Sequence, residues 1–345
     1  MSLMKVLVTG GGGFIGSYVV DLLVDKGDVV YSVDDLSGGY LRNVNPKCKF
    51  EKLNLVNKKK TAEFIEKVKP EVIYHLAADA TEGRSQFTPI NCTERNYLAF
   101  LNTIVPAIKF GLKKFVFVSS MSVYGNQKTP FTEEMEPCPE DIYAIAKVAS
   151  ENALKIFSEV FKINYSITRP HNVYGPRQKL SDPYRNVVGI FINSLLAGRK
   201  YYIYGDGEQK RSFSYIDDVA PYIVELGNLD KYNGETFNIG PEETITINEL
   251  SNTVLKSFYG GKEKIPKMML PIYLPDRPKE VKIAYCSNKK ARDLLNYKPK
   301  INLEPGIKLM IEWAKELGPQ KFHYLKNLEL VNESTPKTWR KKLLK

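Results

Sequence analysis

The stretch Lys5-Val6-Leu7-Val8-Thr9-Gly10-Gly11-Gly12-Gly13-Phe14-Ile15-Gly16 constrains what this chain can fold into more than any other. A short apolar run breaks into four consecutive glycines and resumes at Ser17-Tyr18-Val19-Val20-Asp21-Leu22-Leu23 with helical spacing. Strand, glycine turn and helix entry, in that order, form the context of a dinucleotide-binding turn. Glycines let the backbone turn tightly and approach a pyrophosphate, whose charge then meets free N–H groups at the helix N-terminus. Both Gly11-x-Gly13-x-x-Gly16 and Gly10-x-x-Gly13-x-x-Gly16 are present. The same glycines would also suit a loop in another α/β protein, so the downstream segments decide.

Val29–Val33 reads as a second strand ending in Asp34-Asp35. A carboxylate at that tip accepts hydrogen bonds from an adenosine ribose and repels a 2′-phosphate, which favours NAD over NADP. Lys49–Leu53 gives a short third strand, and Thr61–Lys69 a charged amphipathic helix stopped by Pro70. Val72–Ala78 is a fourth strand, apolar on both faces as buried parallel strands are. A long helix from Ile90 to Phe110 then leads to a strand at Lys114–Val118. Strands alternating with helical crossovers predict an α/β doubly wound parallel sheet, a Rossmann fold, with its site at the carboxyl ends of the strands. Ser119-Ser120 falls there.

The expected organisation is a dinucleotide-binding domain over residues 4–171, with Met4 as the natural start and Met1–Leu3 as an added leader. From about Asn172 the alternation becomes irregular and rich in proline and tyrosine, which predicts a smaller, discontinuous, mixed α/β substrate lobe over 172–320. Parts of 212–240 are expected to return to the first domain. Residues 321–345 form a basic tail.

A net charge of +11 raises nucleic acid as a partner. Without stacking aromatics or a binding motif, the basic end reads as solvated, and neither nucleic acid nor a membrane is expected as a partner. No apolar run approaches membrane-spanning length. Four separated cysteines with no CxxC pair, and three scattered histidines, predict thiols of a reducing, cytoplasmic compartment and no metal site.

Ile142-Tyr143-Ala144-Ile145-Ala146-Lys147-Val148 opens an amphipathic helix running to about Phe161. Tyr143 and Lys147, four residues apart, share one helix face. A free tyrosine has a pKa of about 10 and is a poor base near neutrality. An adjacent ammonium favours the phenolate and makes it a usable general base. With a hydroxyl such as Ser120 holding the same oxygen, the set suits oxidation of an alcohol.

Taken in order, several motifs resemble those of the extended short-chain dehydrogenase/reductase family, in its NAD-dependent nucleotide-sugar epimerase/dehydratase group. They are TGGGGFIG at Thr9–Gly16, HLAA at His75–Ala78, SSMSVYG at Ser119–Gly125, YAIAK at Tyr143–Lys147 and RPHNVYGPR at Arg169–Arg177. YGDGEQKRSFSYIDDV at Tyr204–Val219 and LPDRPKEV at Leu274–Val281 follow. The resemblance implies Tyr143 as catalytic base, Lys147 lowering its pKa and binding the nicotinamide ribose, and Ser120 as the catalytic hydroxyl. For the NAD cofactor it implies Gly10, Gly13, Phe14, Ile15 and Gly16 at the pyrophosphate, and Asp34, Asp35, Leu36, Ser37 and Gly38 around the ribose. Asn54, where the family usually has Asp, and Leu55 fall at the adenine. Leu76, Ala77, Ala78, Asn96, Ser119 and His171 fall along the rest of the cofactor.

For the nucleotide-sugar substrate the resemblance implies Asn172, Val188, Tyr204, Arg211, Arg277, Glu280 and Ala284 beside Ser120 and Tyr143. Arg211 and Arg277 are the expected diphosphate ligands, since guanidinium forks pair with phosphate oxygens. The family's RDF reads Arg211-Ser212-Phe213, and its R-x-G-D reads Arg277-Pro278-Lys279-Glu280; both keep the arginine. Ala284 stands where a bulky residue restricts the sugar pocket, which implies tolerance of N-acetylhexosamines. The family commonly pairs the 90–110 and 143–161 helices in a four-helix bundle, so a homodimer is expected.

Related dehydratases place Asp-Glu directly after the catalytic hydroxyl, where this chain has Met121 and Ser122. Related decarboxylases carry a glutamate, and a related 3,5-epimerase a cysteine, where Ser122 stands. The chemistry left for Tyr, Lys and Ser is epimerisation at C4 through a 4-keto sugar, with UDP-glucose/UDP-galactose or their N-acetyl or uronate relatives as expected substrates. A 4-keto reductase or dehydrogenase with exchangeable cofactor, and a non-catalytic NAD-binding protein, are the alternatives.

Overall fold

A computed structural model describes residues 4–278 and 280–345, so the leader Met1–Leu3 and Lys279 lie outside the described residues. Six strands follow in chain order: β1 (Lys5–Thr9), β2 (Val29–Asp34), β3 (Lys49–Lys52), β4 (Val72–His75), β5 (Lys114–Val118) and β6 (Asn164–Pro170). They join the strand Glu235–Ile239 in one seven-stranded sheet with the order Glu235–Ile239, β6, β5, β4, β1, β2, β3. Every pairing in it is parallel. Strand order reverses between β1 and β4, so a crevice opens at their carboxyl ends, where ligands of such sheets bind.

The sheet is covered on both faces, which is why β4 and β5 are wholly buried and apolar except for His75 and Lys114. Successive side chains of a strand point to opposite faces. Val6 and Val8 pack with Tyr74, Phe237 and the helices Val187–Leu196, Ile247–Tyr259 and Leu303–Leu317. Leu7 between them packs with Ile73, Phe100, Phe115 and Phe117 on the other face.

Helix α1 (Phe14–Asp25) follows the glycine turn as expected, and α2 (Lys58–Val68) starts three residues before the expected Thr61. Asn57 caps it by accepting from the Lys60 N–H at 3.1 Å, a signal that apolar spacing does not carry. The long helix is interrupted: Pro89–Thr93 passes through a π-turn at Glu94–Leu98 into Ala99–Lys109. β4 stops at His75, short of the expected Ala78, because the Leu76 and Ala77 N–H groups turn to the Thr9 hydroxyl, both at 3.2 Å.

Beyond β6, short strands build the wall opposite the crevice. Tyr202–Tyr204 pairs with Ile272–Leu274, and Lys210–Arg211 lies between Ile245–Thr246 and Ile283–Ala284, which puts Arg211 beside Ala284. The basic end is not a solvated tail. Phe322, Thr335, Thr338, Trp339 and Leu344 are buried, and these anchors outweigh the lysines between them. Among the described residues, no helix is long and apolar enough to cross a membrane.

Candidate active site

The glycine turn is built for close approach of a ligand. Gly10 has φ +76°, and a Cβ there would lie 2.8 Å from the Ala77 nitrogen. A Cβ on Gly16 would lie 2.1 Å from the Gly10 carbonyl oxygen, so only glycine lets the first turn of α1 pass the loop. No side chain caps α1, which leaves the N–H groups of its first turn for an anion. Asp34 is held by the loop it serves: its Oδ2 accepts from the Gly12 N–H (3.0 Å) and its Oδ1 from the Leu36 N–H (2.7 Å).

These residues open into a cavity of about 560 Å³ that runs from the glycine turn to the wall beyond β6. Gly10, Gly13, Phe14, Ile15, Gly16, Asp34, Asp35, Ser37, Gly38, Asn54, Leu55, Leu76, Ala77, Ala78 and Ser119 all line it. Leu36 lies behind Asp34 and contributes its backbone. Asn96 and His171 do not line it. Asn96 is buried in the π-turn, where its Nδ2 donates to the Cys92 carbonyl at 2.8 Å. His171 is fully enclosed against Gly240, and burial pulls its pKa down to about 4, so it is a neutral core residue. The glycine cradle, the free helix terminus and the tip carboxylate fit NAD.

Ser120, Tyr143 and Lys147 all line the same cavity. The helix Ile142–Phe161 starts at Asp141, whose side chain accepts from the Ala144 N–H at 2.8 Å, so Tyr143 sits in its first turn. The Lys147 ammonium donates to the Val118 carbonyl at 2.8 Å and lies 5.6 Å from the centre of the Tyr143 ring. Burial pulls the Lys147 pKa down to about 8. Tyr143 is not a depressed phenol: burial, and then the charge of Glu82, push its pKa up. For Tyr143 to serve as a base, the phenolate would need a positive charge beside that of Lys147, which bound NAD would supply.

The opposite wall carries Asn172, Val188, Tyr204, Arg211, Arg277, Glu280 and Ala284. Arg211 Nη2 reaches Glu280 Oε1 at 3.0 Å, and Arg277 Nη2 reaches Glu280 Oε2 at 2.7 Å. Two guanidinium groups thus converge on one carboxylate at the cavity wall, and Arg211 also donates to the carbonyls of Lys210, Val281 and Lys282. Asn172 is tied to the same wall through its Nδ2, which donates to the Ser212 carbonyl at 2.8 Å.

Three features escaped the sequence reading. Glu82 opens into the cavity while protein surrounds it, and burial with the nearby Asp141 raises its pKa to about 7. Its loop is fixed by Asp79, which pairs with Arg84 and accepts from Thr81 Oγ1 at 2.7 Å. Arg95 binds Asp35 at 2.8 Å beside the adenosine end, and a periodicity reading shows it only as a helix surface charge. The C-terminal residues Thr338, Trp339 and Leu344 also line the cavity.

Comparison with known proteins agrees with this geometry. Residues 6–240 match the model of the NAD dependent epimerase/dehydratase family. The chain is similar to a UDP-glucose 4-epimerase of Mycolicibacterium smegmatis, 35% identical over 321 residues, covering 90% of this chain and 99% of the relative. Among solved structures it is similar to the UDP-glucose 4-epimerase of Thermotoga maritima with UDP-glucose (35% identity, TM-score 0.84, covering 90% of this chain and 99% of that one). It is also similar to the Thermus thermophilus UDP-glucose 4-epimerase in complex with NAD (28% identity, TM-score 0.81, covering 89% and 98%).

Proposed function

This chain belongs to the NAD dependent epimerase/dehydratase family, and on that footing we propose that it interconverts the C4 epimers of a UDP-hexose, glucose and galactose or their N-acetyl forms. The observation that carries this is the placement of Ser120, Tyr143 and Lys147 between a dinucleotide cradle and a wall with two converging arginines. NAD supplies a reversible hydride acceptor when bound. Gly10–Gly16, Asp34 and Leu76–Ala78 hold it, and Lys147 binds its ribose. Tyr143 takes the proton of the sugar C4 hydroxyl and returns it, while Ser120 holds that oxygen by hydrogen bond. Arg211 and Arg277 grip the diphosphate. The 4-keto sugar turns over while Arg211 and Arg277 keep its diphosphate, and is reduced on its other face.

Residues 4–171 with the returning strand Glu235–Ile239 carry the cofactor in this reading, and 172–320 carry most of the substrate contacts. The exposed apolar residues Ile90, Leu98, Val105, Ile145, Ile156 and Val160 on the two surface helices support a homodimer. Four unpaired cysteines suit a reducing cytoplasm.

The test is incubation of the purified protein, with no added cofactor, with UDP-glucose, UDP-N-acetylglucosamine and UDP-glucuronate, resolving products by C4 configuration. Formation of UDP-galactose or its N-acetyl form is expected. Absence of any C4 epimer refutes the proposal, and turnover only with added NAD(H) supports the reductase alternative.

A further inference from the structure

The C-terminal segment folds back onto the cavity by specific contacts. The Trp339 indole N–H donates to the Pro183 carbonyl at 3.2 Å, and its ring stands edge-on to Phe87 (6.0 Å) and Tyr184 (5.4 Å). Tyr324 ties the segment together, its hydroxyl donating to the Thr338 carbonyl (3.2 Å) and accepting from the Leu344 N–H (2.9 Å). The Thr338 hydroxyl meets the Tyr204 hydroxyl in a short hydrogen bond. The Arg277 guanidinium lies over the Tyr204 ring, 5.0 Å from its centre. A Cβ built on Gly83 would lie 3.5 Å from the Trp339 ring and 4.0 Å from Arg277 Nη1, so the tail and that arginine border the same glycine.

A guanidinium grips a diphosphate well only when the plane of its fork is held in place. Arg277 has two such restraints: Glu280 at its edge, through Nε at 2.8 Å, and the Tyr204 ring beneath its face. That ring is itself held at its far end by Thr338, and burial raises the Tyr204 pKa so that the phenol stays neutral. We propose that Thr338 is a positioning residue for substrate binding: anchored by Trp339, it fixes Tyr204 and through it the Arg277 guanidinium that faces the diphosphate. The proposal rests on the reading of Arg277 as a diphosphate ligand. The C-terminal segment then sets affinity for the nucleotide half of the substrate and leaves the chemistry at Tyr143 untouched.

The experiment compares full-length wild type, Thr338→Val, Thr338→Ser and Trp339→Phe. It measures UDP binding by calorimetry, KM and kcat with UDP-glucose, NAD content and melting temperature. Thr338→Val is expected to weaken UDP binding and raise KM about fivefold, the effect of one net hydrogen bond, with kcat and NAD content unchanged. Thr338→Ser keeps the hydroxyl and should bind as wild type does; Trp339→Phe, losing the bond to Pro183, should weaken binding in the same direction. Wild-type affinity for UDP in Thr338→Val overturns the proposal, as does a loss confined to kcat. UDP binding needs no turnover. A wild type that binds UDP and epimerises nothing therefore refutes the epimerase reading alone, whereas one that does not bind UDP removes the premise for Arg277.

Discussion

Tyr124, from the SSMSVYG motif next to the catalytic serine, offers a sharp separation of structure from chemistry. Its ring is fully buried, and its hydroxyl accepts from Arg169 Nη1 at 2.7 Å and donates to Asn238 Oδ1 at 2.8 Å. Arg169 is in turn clamped by Glu151, Nε to Oε1 at 3.0 Å and Nη2 to Oε2 at 2.5 Å. Tyr124→Phe keeps the stack on Phe131 (5.0 Å) and the Arg169 guanidinium over the ring (4.8 Å) but removes the hydroxyl. One charged donor and one acceptor, both on buried residues, then lose a partner. At about 1–3 kcal/mol for each of the two buried groups left unsatisfied, the loss is about 2–6 kcal/mol. For a chain of this size about 2 °C accompanies each kcal/mol, so the melting temperature should fall by about 4–12 °C. Differential scanning calorimetry measures this, and kcat per folded molecule with NAD content should stay at wild-type values. An unchanged melting temperature refutes the network's contribution to stability. An unchanged melting temperature with lost kcat would move Tyr124 into the chemistry.

Tyr143→Phe should lower kcat by about 10²–10⁴-fold, the usual contribution of a positioned acid–base group, with the NAD content of the purified protein unchanged. Glu82 gives a pH signature. A carboxyl whose pKa is raised to about 7 on folding favours the protonated native state, so stability falls as pH rises from its ordinary 4.5 to about 7. Glu82→Gln removes that loss. Its melting temperature relative to wild type should therefore grow between pH 5 and pH 8, and a constant difference refutes the shift. Ala284→Tyr should suppress turnover of UDP-N-acetylglucosamine selectively, as read from kcat/KM on both substrates; equal loss on UDP-glucose counts against a gate at that position.

What could be read from the sequence is what local rules determine. The glycine turn announces itself because Gly10 and Gly16 are places where any Cβ collides with backbone, and Asp34 follows at the end of a strand whose length the apolar pattern sets. Tyr143 and Lys147 share a face because four residues make about one helical turn. Glu82 and Thr338 have no such marker. Each reaches the cavity through a loop or short helix whose path is decided by distant partners, the Asp79–Arg84 pair for one and Pro183, Tyr184 and Tyr204 for the other. His171 and Asn96 show the converse: their motifs place them near the cofactor, yet the backbone at each aims the side chain into the core.

The same distinction separates two kinds of arginine in these motifs. Arg169 is fully matched by Glu151 and Tyr124 in a sealed site, so an incoming anion would have to break buried bonds to reach it. Arg211 and Arg277 pair with the one carboxylate of Glu280 on the wall of an open cavity, with Glu82 within electrostatic reach of both, and Arg211 also donates to the Lys210, Val281 and Lys282 carbonyls. Their place on the cavity wall leaves them open to an incoming anion, as the sealed Arg169 is not. Spacing alone cannot tell these arginines apart; whether each is sealed in the core or borders the cavity does.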